Sequence, residues 1–579
     1  MLDSPGLTAE QLNVVERPVA DKLIVTAGPG TGKTHTLVSR LEFLIAGDSD
    51  VAGQEILSLS FSRAAVGVLR RRVSALTSRG SRARSTTFDS FATKLLKLHG
   101  QSDLDGVDYD ARIARATELL SPGSIDELRD TRHIFVDEAQ DLIGVRADFV
   151  LKLLTTTDCG FTVFADQAQA IYDFTGDSAA GPSFVDRVID LCGSQIHIIH
   201  LTTNHRTEDR QLLGIAGLGM SLRDNSADPR ATIDALVRAT RGLPAAGSID
   251  DAAPLLGSSS NVAILTRRNS EALTISEVLH NKGIRHRLRR RADDPVIGSW
   301  LSELTRSAEL NRLTLNDLEN AAPILPWPAD VTWNALSRAF RPRKGVLNLS
   351  QLGEALAGGI PPDELLEVGA EGVLISSIHR SKGLEFDTVL LVPFDIDDDD
   401  WLFEARVLYV GMTRARLNLL TLNKVDDGRW SFSKRGQRWK RIGFAGKRRY
   451  TTGIEVMGVD TVTFDPVGAI KPNDDPSAVS DYLLGSVVSG DPVTLARRDD
   501  GDAGTIYDVL HAGRWVASTR PRFSEILQSE LDEKPLPAVI EGCRVEAIAT
   551  TALPGPVAEL LGIGTQLVPT CRIQGVGTW

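Results

Sequence analysis

The stretch Ala27-Gly28-Pro29-Gly30-Thr31-Gly32-Lys33-Thr34 constrains this chain more than any other. An apolar run, Leu23-Ile24-Val25, precedes it, and a helical pattern, His35-Thr36-Leu37-Val38, follows. A strand, a glycine-rich turn and a helix start are the setting that a phosphate-binding loop requires. The N–H groups of such a loop converge on phosphate oxygens, and the helix N-terminus adds the positive end of its dipole. Lys33 is placed to reach β- and γ-phosphates, and the Thr34 hydroxyl to hold Mg²⁺. The first position departs from the usual pattern, because Ala27 stands where glycine is common. An incidental glycine-rich turn is the alternative, and at ordinary glycine usage of about 7% a chance match with these flanks is uncommon.

At 579 residues, and at about 100–200 residues per domain, the chain has room for three to five domains. No apolar run reaches the roughly 18 residues of a membrane span, and Met1-Leu2-Asp3-Ser4-Pro5 lacks the charged-then-apolar layout of a leader. Cys159, Cys192, Cys543 and Cys571 are scattered without metal spacing. These features set the expectation of a cytoplasmic protein. The net charge of −12 argues against a protein that coats nucleic acid but permits a local basic channel.

Taken in order, the chain repeats one theme, a short apolar strand ending in polar groups. Leu7-Thr8-Ala9-Glu10-Gln11 precedes the loop, and the Gln11 amide could read an adenine edge. Ile56 to Ala65 runs from strand into helix through Phe61, and Thr86 to Phe91 opens another helix at Phe88. Rings at such strand ends suit base stacking, with capping and core as the plainer alternative. His133-Ile134-Phe135-Val136 ends in Asp137 and Glu138. Nucleotide hydrolysis needs one carboxylate for Mg²⁺ and a second to deprotonate water, and this pair meets that need. Phe161 to Ala165 leads to Gln169, Tyr172 and Phe174, and Ile196 to Leu201 leads to Asn204-His205-Arg206.

Together with Ser377 to Phe386 and Val407 to Arg416, these segments resemble the motifs of the UvrD/Rep-like superfamily 1A DNA helicases, in the family's order, over roughly residues 5 to 425. The resemblance implies two RecA-like P-loop domains of α/β class with ATP between them. It places Gln11, the loop from Ala27 to His35, and Glu385 at the nucleotide. It places Thr34 and Asp137 at Mg²⁺, and Lys33, Glu138, Gln169, Arg206 and Arg414 at the phosphates, with both arginines as fingers. Phe61, Phe88, Tyr172, Phe174 and His379 would touch single-stranded DNA. Four positions depart from the family: His205 for an adenine-stacking Tyr, His35 for Arg, Asp89 for His and Thr175 for Arg. None of them removes a group that hydrolysis needs.

The expected domains are 1–205 (1A), with a short 1B insertion at about 101–132, and 206–425 (2A), with a short, mainly helical 2B insertion at about 287–371. A basic aromatic linker at 426–450 and a small β-rich domain at 451–579 complete the chain. From Arg429 to Arg449 there are nine cations and no acid, interleaved with Trp430, Phe432, Trp439 and Phe444. That is the composition of a single-strand track, or of a basic linker with buried rings. The functional expectation is a 3′–5′ ATP- and Mg²⁺-dependent DNA helicase acting on single-stranded and tailed duplex DNA in repair, recombination or defence. A protein partner is expected on the C-terminal domain. The alternative is an ATP-gated regulatory subunit of a nuclease or repair complex that unwinds little.

Overall fold

A computed structural model describes the chain apart from residues 1–5, 47–50, 61–82, 102–107, 122, 124, 172–181, 224–227, 259–260, 290–293, 295, 308–310, 341, 358–360, 362–364, 367–371, 397–399, 426–427, 465–474, 500–503 and 532–533. It divides into two compact units. Unit 1 comprises 1–245 and 381–421, and unit 2 comprises 246–380 and 422–579. The expected boundaries at 205 and 425 do not coincide with this division. Among the described residues no helix is long and apolar enough to cross a membrane.

Unit 1 is built on a six-stranded sheet. Its strands are β1 (Lys22–Ala27), β2 (Ile56–Ser60), β3 (Arg84–Thr87), β4 (His133–Val136), β5 (Gly160–Ala165) and β6 (Ile196–Leu201), in the order β3-β2-β4-β5-β1-β6. Every pairing is parallel. Strands β2, β4 and β5 are buried along their whole length, as parallel strands covered on both faces must be. A parallel sheet has all its strand C-termini at one edge, and ligands bind in the crevice outside that edge. The register sets Val25 beside Phe164, Val136 beside Val163, and Ala27 beside Leu201. The segments that follow β1, β4, β5 and β6 therefore emerge together.

Helix α1 (Ala9–Val15) starts at Thr8 with a reciprocal capping box to Gln11, and α2 (Lys33–Ala46) follows the loop. Between helix α3 (Phe88–Leu98) and β4, the longest described helix is Tyr109–Leu119, so the 1B region is small. From the later segment, Phe386–Leu391 pairs in parallel with Ala415–Leu422, and the buried helix Trp401–Met412 lies between them in sequence. Its Tyr409 hydroxyl donates to the Ala216 carbonyl at 3.0 Å.

Unit 2 holds a second parallel group, with Val373–Ser377 between Val262–Thr266 and His286–Leu288. The 2B region is helical, with Trp300–Ser307, Leu315–Asn320, Ala329–Phe340 and Leu349–Ala357. The rest is a ten-stranded antiparallel sheet. Its spine is the long pair Val539–Ala552 and Leu567–Thr578. Two expectations fail here. The basic stretch is no linker, because Trp430–Ser433, Arg438–Ala445 and Arg448–Val456 are three successive strands of this sheet. Nor is the C-terminal part separate from 2B. Ile297–Gly298 pairs with Val539–Ala552, and Leu567 is buried in one cluster with Trp300, Leu301, Leu336 and Leu352. The alternation of the basic stretch explains the first failure. One face sets Ser433, Arg438 and Lys440 toward Glu530 and Asp460, and the other sets Phe432 against Trp439 at 5.4 Å.

Glycines at two positions test the packing. A methyl group on Gly160 at the start of β5 would sit 2.0 Å from the Val19 carbonyl oxygen, whereas Gly214 within Arg210–Gly217 faces open space. Gly160→Ala should lower stability by about 1–3 kcal/mol or more. Gly214→Ala should raise it by about 0.5–1 kcal/mol, since alanine loses less backbone entropy in a helix. Chemical denaturation of the two variants checks both signs.

Candidate nucleotide site

The loop between β1 and α2 follows a path that glycine alone takes easily, with φ of +81° at Gly30 and +79° at Gly32. Neighbours close in on it as well. A Cβ on Gly30 would lie 2.7 Å from Arg206 and 2.8 Å from the Asn204 amide, and one on Gly32 would lie 2.5 Å from Gln11 Nε2. The segment after β6 fastens the loop. Asn204 Nδ2 donates to the Pro29 carbonyl at 3.0 Å, and the His205 N–H donates to the Gly30 carbonyl at 2.7 Å. Gln11 Nε2 donates to the Thr31 carbonyl at 3.1 Å, while its carbonyl accepts from the Thr8 N–H at 2.9 Å. One amide hydrogen of Gln11 is not used in these two bonds.

The C-terminal end of α1, the helix that carries Gln11, is held by Arg40 on α2. This fully buried guanidinium donates to the carbonyls of Val14, Arg17 and Pro18 at 2.7, 2.9 and 3.1 Å, and to Thr162 Oγ1 at 3.0 Å. His133 Nε2 meets the same hydroxyl at 2.9 Å. Burial first, and Arg40 second, push the His133 imidazole down to about 3, so it stays neutral beside the cation.

The chemistry lies at the C-terminal ends of β4 and β5. Lys33 Nζ meets Glu138 Oε1 at 2.7 Å, and the Gln140 amide holds the other Glu138 oxygen. Glu138 has a φ of +53°, a conformation a non-glycine residue adopts only when its surroundings impose it. Its N–H donates to Asp137 Oδ1 at 2.9 Å. Burial opposes charge on all three groups. Glu138 and then Asp137 nevertheless keep the Lys33 amine above its usual range, and Lys33 followed by Lys382 keeps Glu138 below the carboxylate range. Burial and the adjacent Glu138 raise Asp137. Asp137 is thus a buried carboxylate whose negative charge wants a counter-ion.

Asp166, at the end of β5, accepts from Gln169 Nε2 at 2.8 Å and from Arg223 Nε at 2.9 Å. Arg414 Nη2 donates to Gln169 Oε1 at 2.7 Å. Burial first, then the nearby Arg206 charge, pull the Arg414 guanidinium down to about 10, which leaves it protonated at neutral pH. Arg206 pairs with Glu385 and donates to the Thr413 carbonyl at 2.6 Å. Lys382 pairs with the buried Asp141 and donates to the Gln169 carbonyl.

The structure therefore brings Gln11, Gly28, Pro29, Gly30, Thr31, Gly32, Lys33, Asp137, Glu138, Gln169, Arg206, Glu385 and Arg414 into one neighbourhood of unit 1. Ala27 closes β1, Thr34 is half-buried in the first turn of α2, and His35 is exposed there. Sequence reading overlooked Arg40, Asn204, Asp166, Arg223 and Lys382. Asp166 could have been found as the polar residue ending β5, and Arg40 as a cation two turns beyond Lys33 on an apolar helix. The expected DNA contacts fare differently. Phe88 is a correction: it starts α3 and is 1% exposed, inside the core with Leu95 and Phe149, so it offers no ring to a base. Phe61, Tyr172 and Phe174 lie outside the described residues. His379 is half-buried on the short helix Ile378–Ser381 of unit 2.

Residues 7–121 and 102–181 match the UvrD/REP helicase N-terminal domain, and residues 372–420 match the UvrD-like helicase C-terminal domain. In these two segments the chain is similar to the UvrD-like helicases. The ATP-dependent DNA helicase UvrD2 of Mycobacterium tuberculosis is 23% identical, with 96% of each chain covered. A probable DNA helicase of Mycoplasma pneumoniae is 35% identical over 21% of this chain and 22% of its own. The crystal structure of Pif1 helicase from Candida albicans aligns with 72% of this chain and 95% of its own, at 15% identity and a TM-score of 0.37. Between the two matched UvrD-like segments lie Arg206 and the 2B region.

The residues fit a nucleoside triphosphate. A glycine-bound loop runs straight into a helix N-terminus, beside a lysine and two arginines. Thr34 and Asp137 offer hard oxygen donors for Mg²⁺. Among the described residues no cluster of three or more His, Cys, Asp or Glu could hold a metal.

Arg40→Met tests how the site is supported. It leaves several buried carbonyls without a donor, at about 1–3 kcal/mol each. The variant should melt earlier and bind nucleotide more weakly through the loosened Gln11. Calorimetric melting and nucleotide titration together check this.

Proposed function

We propose that this chain is an ATP- and Mg²⁺-dependent DNA helicase that moves 3′–5′ on single-stranded DNA. The observation that carries the reading is the convergence of Lys33, Asp137, Glu138, Gln169, Arg206 and Arg414 at the C-terminal edge of one parallel sheet, in a chain matched by both UvrD-like helicase domains. Bound MgATP supplies a γ-phosphoryl group for transfer to water.

The chain's own groups then have definite tasks. Lys33 exchanges its carboxylate partner for phosphate oxygens, and that exchange releases Glu138. A Glu138 carboxylate with no lysine on it accepts the proton of the attacking water. Asp137 and Thr34 would hold the metal ion, and Gln11 would take the base. Arg206 and Arg414 are paired with Glu385 and Gln169, the groups expected to meet ribose and γ-phosphate. Both guanidiniums are within reach of charge that develops there, which is the largest lever in phosphoryl transfer. The UvrD-type form of Ser377 to Phe386 and Val407 to Arg416 supports the 3′–5′ direction, and His379 would contact the strand.

A second reading has its own support. The 1B region contributes little beyond Tyr109–Leu119, so surfaces that engage duplex are reduced. That favours an ATP-gated subunit of a nuclease or repair complex, in which DNA stimulates hydrolysis and unwinding is slight. A protein partner and a cytoplasmic setting belong to either reading.

Lys33→Ala should abolish hydrolysis and weaken ATP binding, whereas Glu138→Gln should abolish hydrolysis and leave ATP bound. Wild-type turnover by Glu138→Gln would refute the base assignment. Single-turnover strand displacement should be seen with 3′-tailed duplex and not with 5′-tailed duplex. The opposite preference reverses the assigned direction, and DNA-stimulated hydrolysis without displacement selects the second reading.

A further inference from the structure

Unit 2 contains a cleft of about 420 Å³, within the range of small-ligand sites. Its apolar lining includes Leu273, Leu288, Val456, Phe523 and Ile526. Four acids also line it, and each is engaged by a neighbour. Asp460 is held by both Arg438 terminal nitrogens at 2.9 and 3.0 Å. Glu546 accepts from Arg572 Nε at 3.0 Å, and Asp294 pairs with the same arginine. Glu455 accepts from Asn269 at 2.8 Å and from the Trp439 N–H at 3.0 Å.

The remaining charged lining is cationic. Arg520 and Arg522 are exposed, and Arg289 and Arg380 are half-buried. Gln437 and Gln574 add amides, and Lys434 and Arg435 are exposed on the turn that carries Gln437. Arg380 is tied to this wall, its guanidinium donating to the Arg289 carbonyl at 3.3 Å. It also directly follows His379, the expected strand contact. Apolar side chains, amide groups and arginines lining one cleft are the groups that receive one nucleotide, the base on the apolar side chains and the phosphate at the arginines.

We propose that this cleft binds a nucleotide unit of single-stranded DNA, its phosphate held by Arg520, Arg522 and Arg380, so that the C-terminal sheet extends the strand's path beyond His379. The proposal rests on the helicase reading for the identity of the strand. A free nucleoside monophosphate shares the same chemistry.

Full-length Arg520→Glu/Arg522→Glu protein is titrated against fluorescein-labelled oligo(dT) over a salt series without ATP, and against thymidine 5′-monophosphate by calorimetry. Affinity for oligo(dT) should fall roughly tenfold or more, and the salt slope should flatten by roughly 0.7 for each lost phosphate contact. The wild-type protein should not bind the monophosphate. Monophosphate binding that the double variant loses would assign the cleft to a free nucleotide and overturn its place on the strand's path. Unchanged oligo(dT) affinity and slope, with no monophosphate binding, overturn the proposal. Should the double variant melt earlier than wild type, Arg522→Ala is judged by the same criteria. Failure of the helicase reading is detected separately, as a wild-type protein whose ATP hydrolysis oligo(dT) does not stimulate.

Discussion

The structure of the nucleotide site depends on the ion pair between Lys33 and Glu138. Two carboxylates stand on consecutive residues at the end of β4, Asp137 buried and Glu138 half-buried, an arrangement that repels itself and is tolerated only beside a compensating cation. Lys33 is that cation. The same atoms that stabilise the site before nucleotide arrives are those that phosphate would compete for. The positive φ of Glu138 belongs to this balance, since it turns the carboxylate back toward the loop.

Around that pair the cations are arranged in one pattern. Lys33 is held by Glu138, Arg414 by Gln169, Arg206 by Glu385, and Lys382 by Asp141. Four positive charges converge where a polyphosphate belongs, and a protein group stands in for it at each. This keeps a strongly cationic crevice from repelling itself. Asp166 connects the pattern to the sheet through Gln169 and Arg223.

In unit 2 the physical problem is different. A long two-stranded spine would expose its edges unless other strands covered them. The Trp430 to Val456 strands cover one side, and Ile297–Gly298 extends the sheet from within 2B. The nine cations of the basic stretch are accordingly not equivalent. Arg438, Lys440 and Arg441 are neutralised by Asp460, Glu530 and Glu277, and the others stay on the surface.

By itself the sequence determined the parallel α/β sheet, the loop and the carboxylate pair, because each is a local signal. An apolar strand, a glycine turn and a helix start are adjacent in the chain, and a parallel sheet necessarily brings strand C-termini to one edge. Tertiary structure alone decided that Phe88 is core rather than a stacking ring, since an aromatic at a strand end looks the same in either role. It decided that Arg40 holds the C-terminal end of α1, through carbonyls with no sequence signature. It also decided that the basic stretch is sheet. Its compensating acids, Glu277, Asp460 and Glu530, lie tens of residues away or more, and charge compensation over such separations cannot be read from a local run.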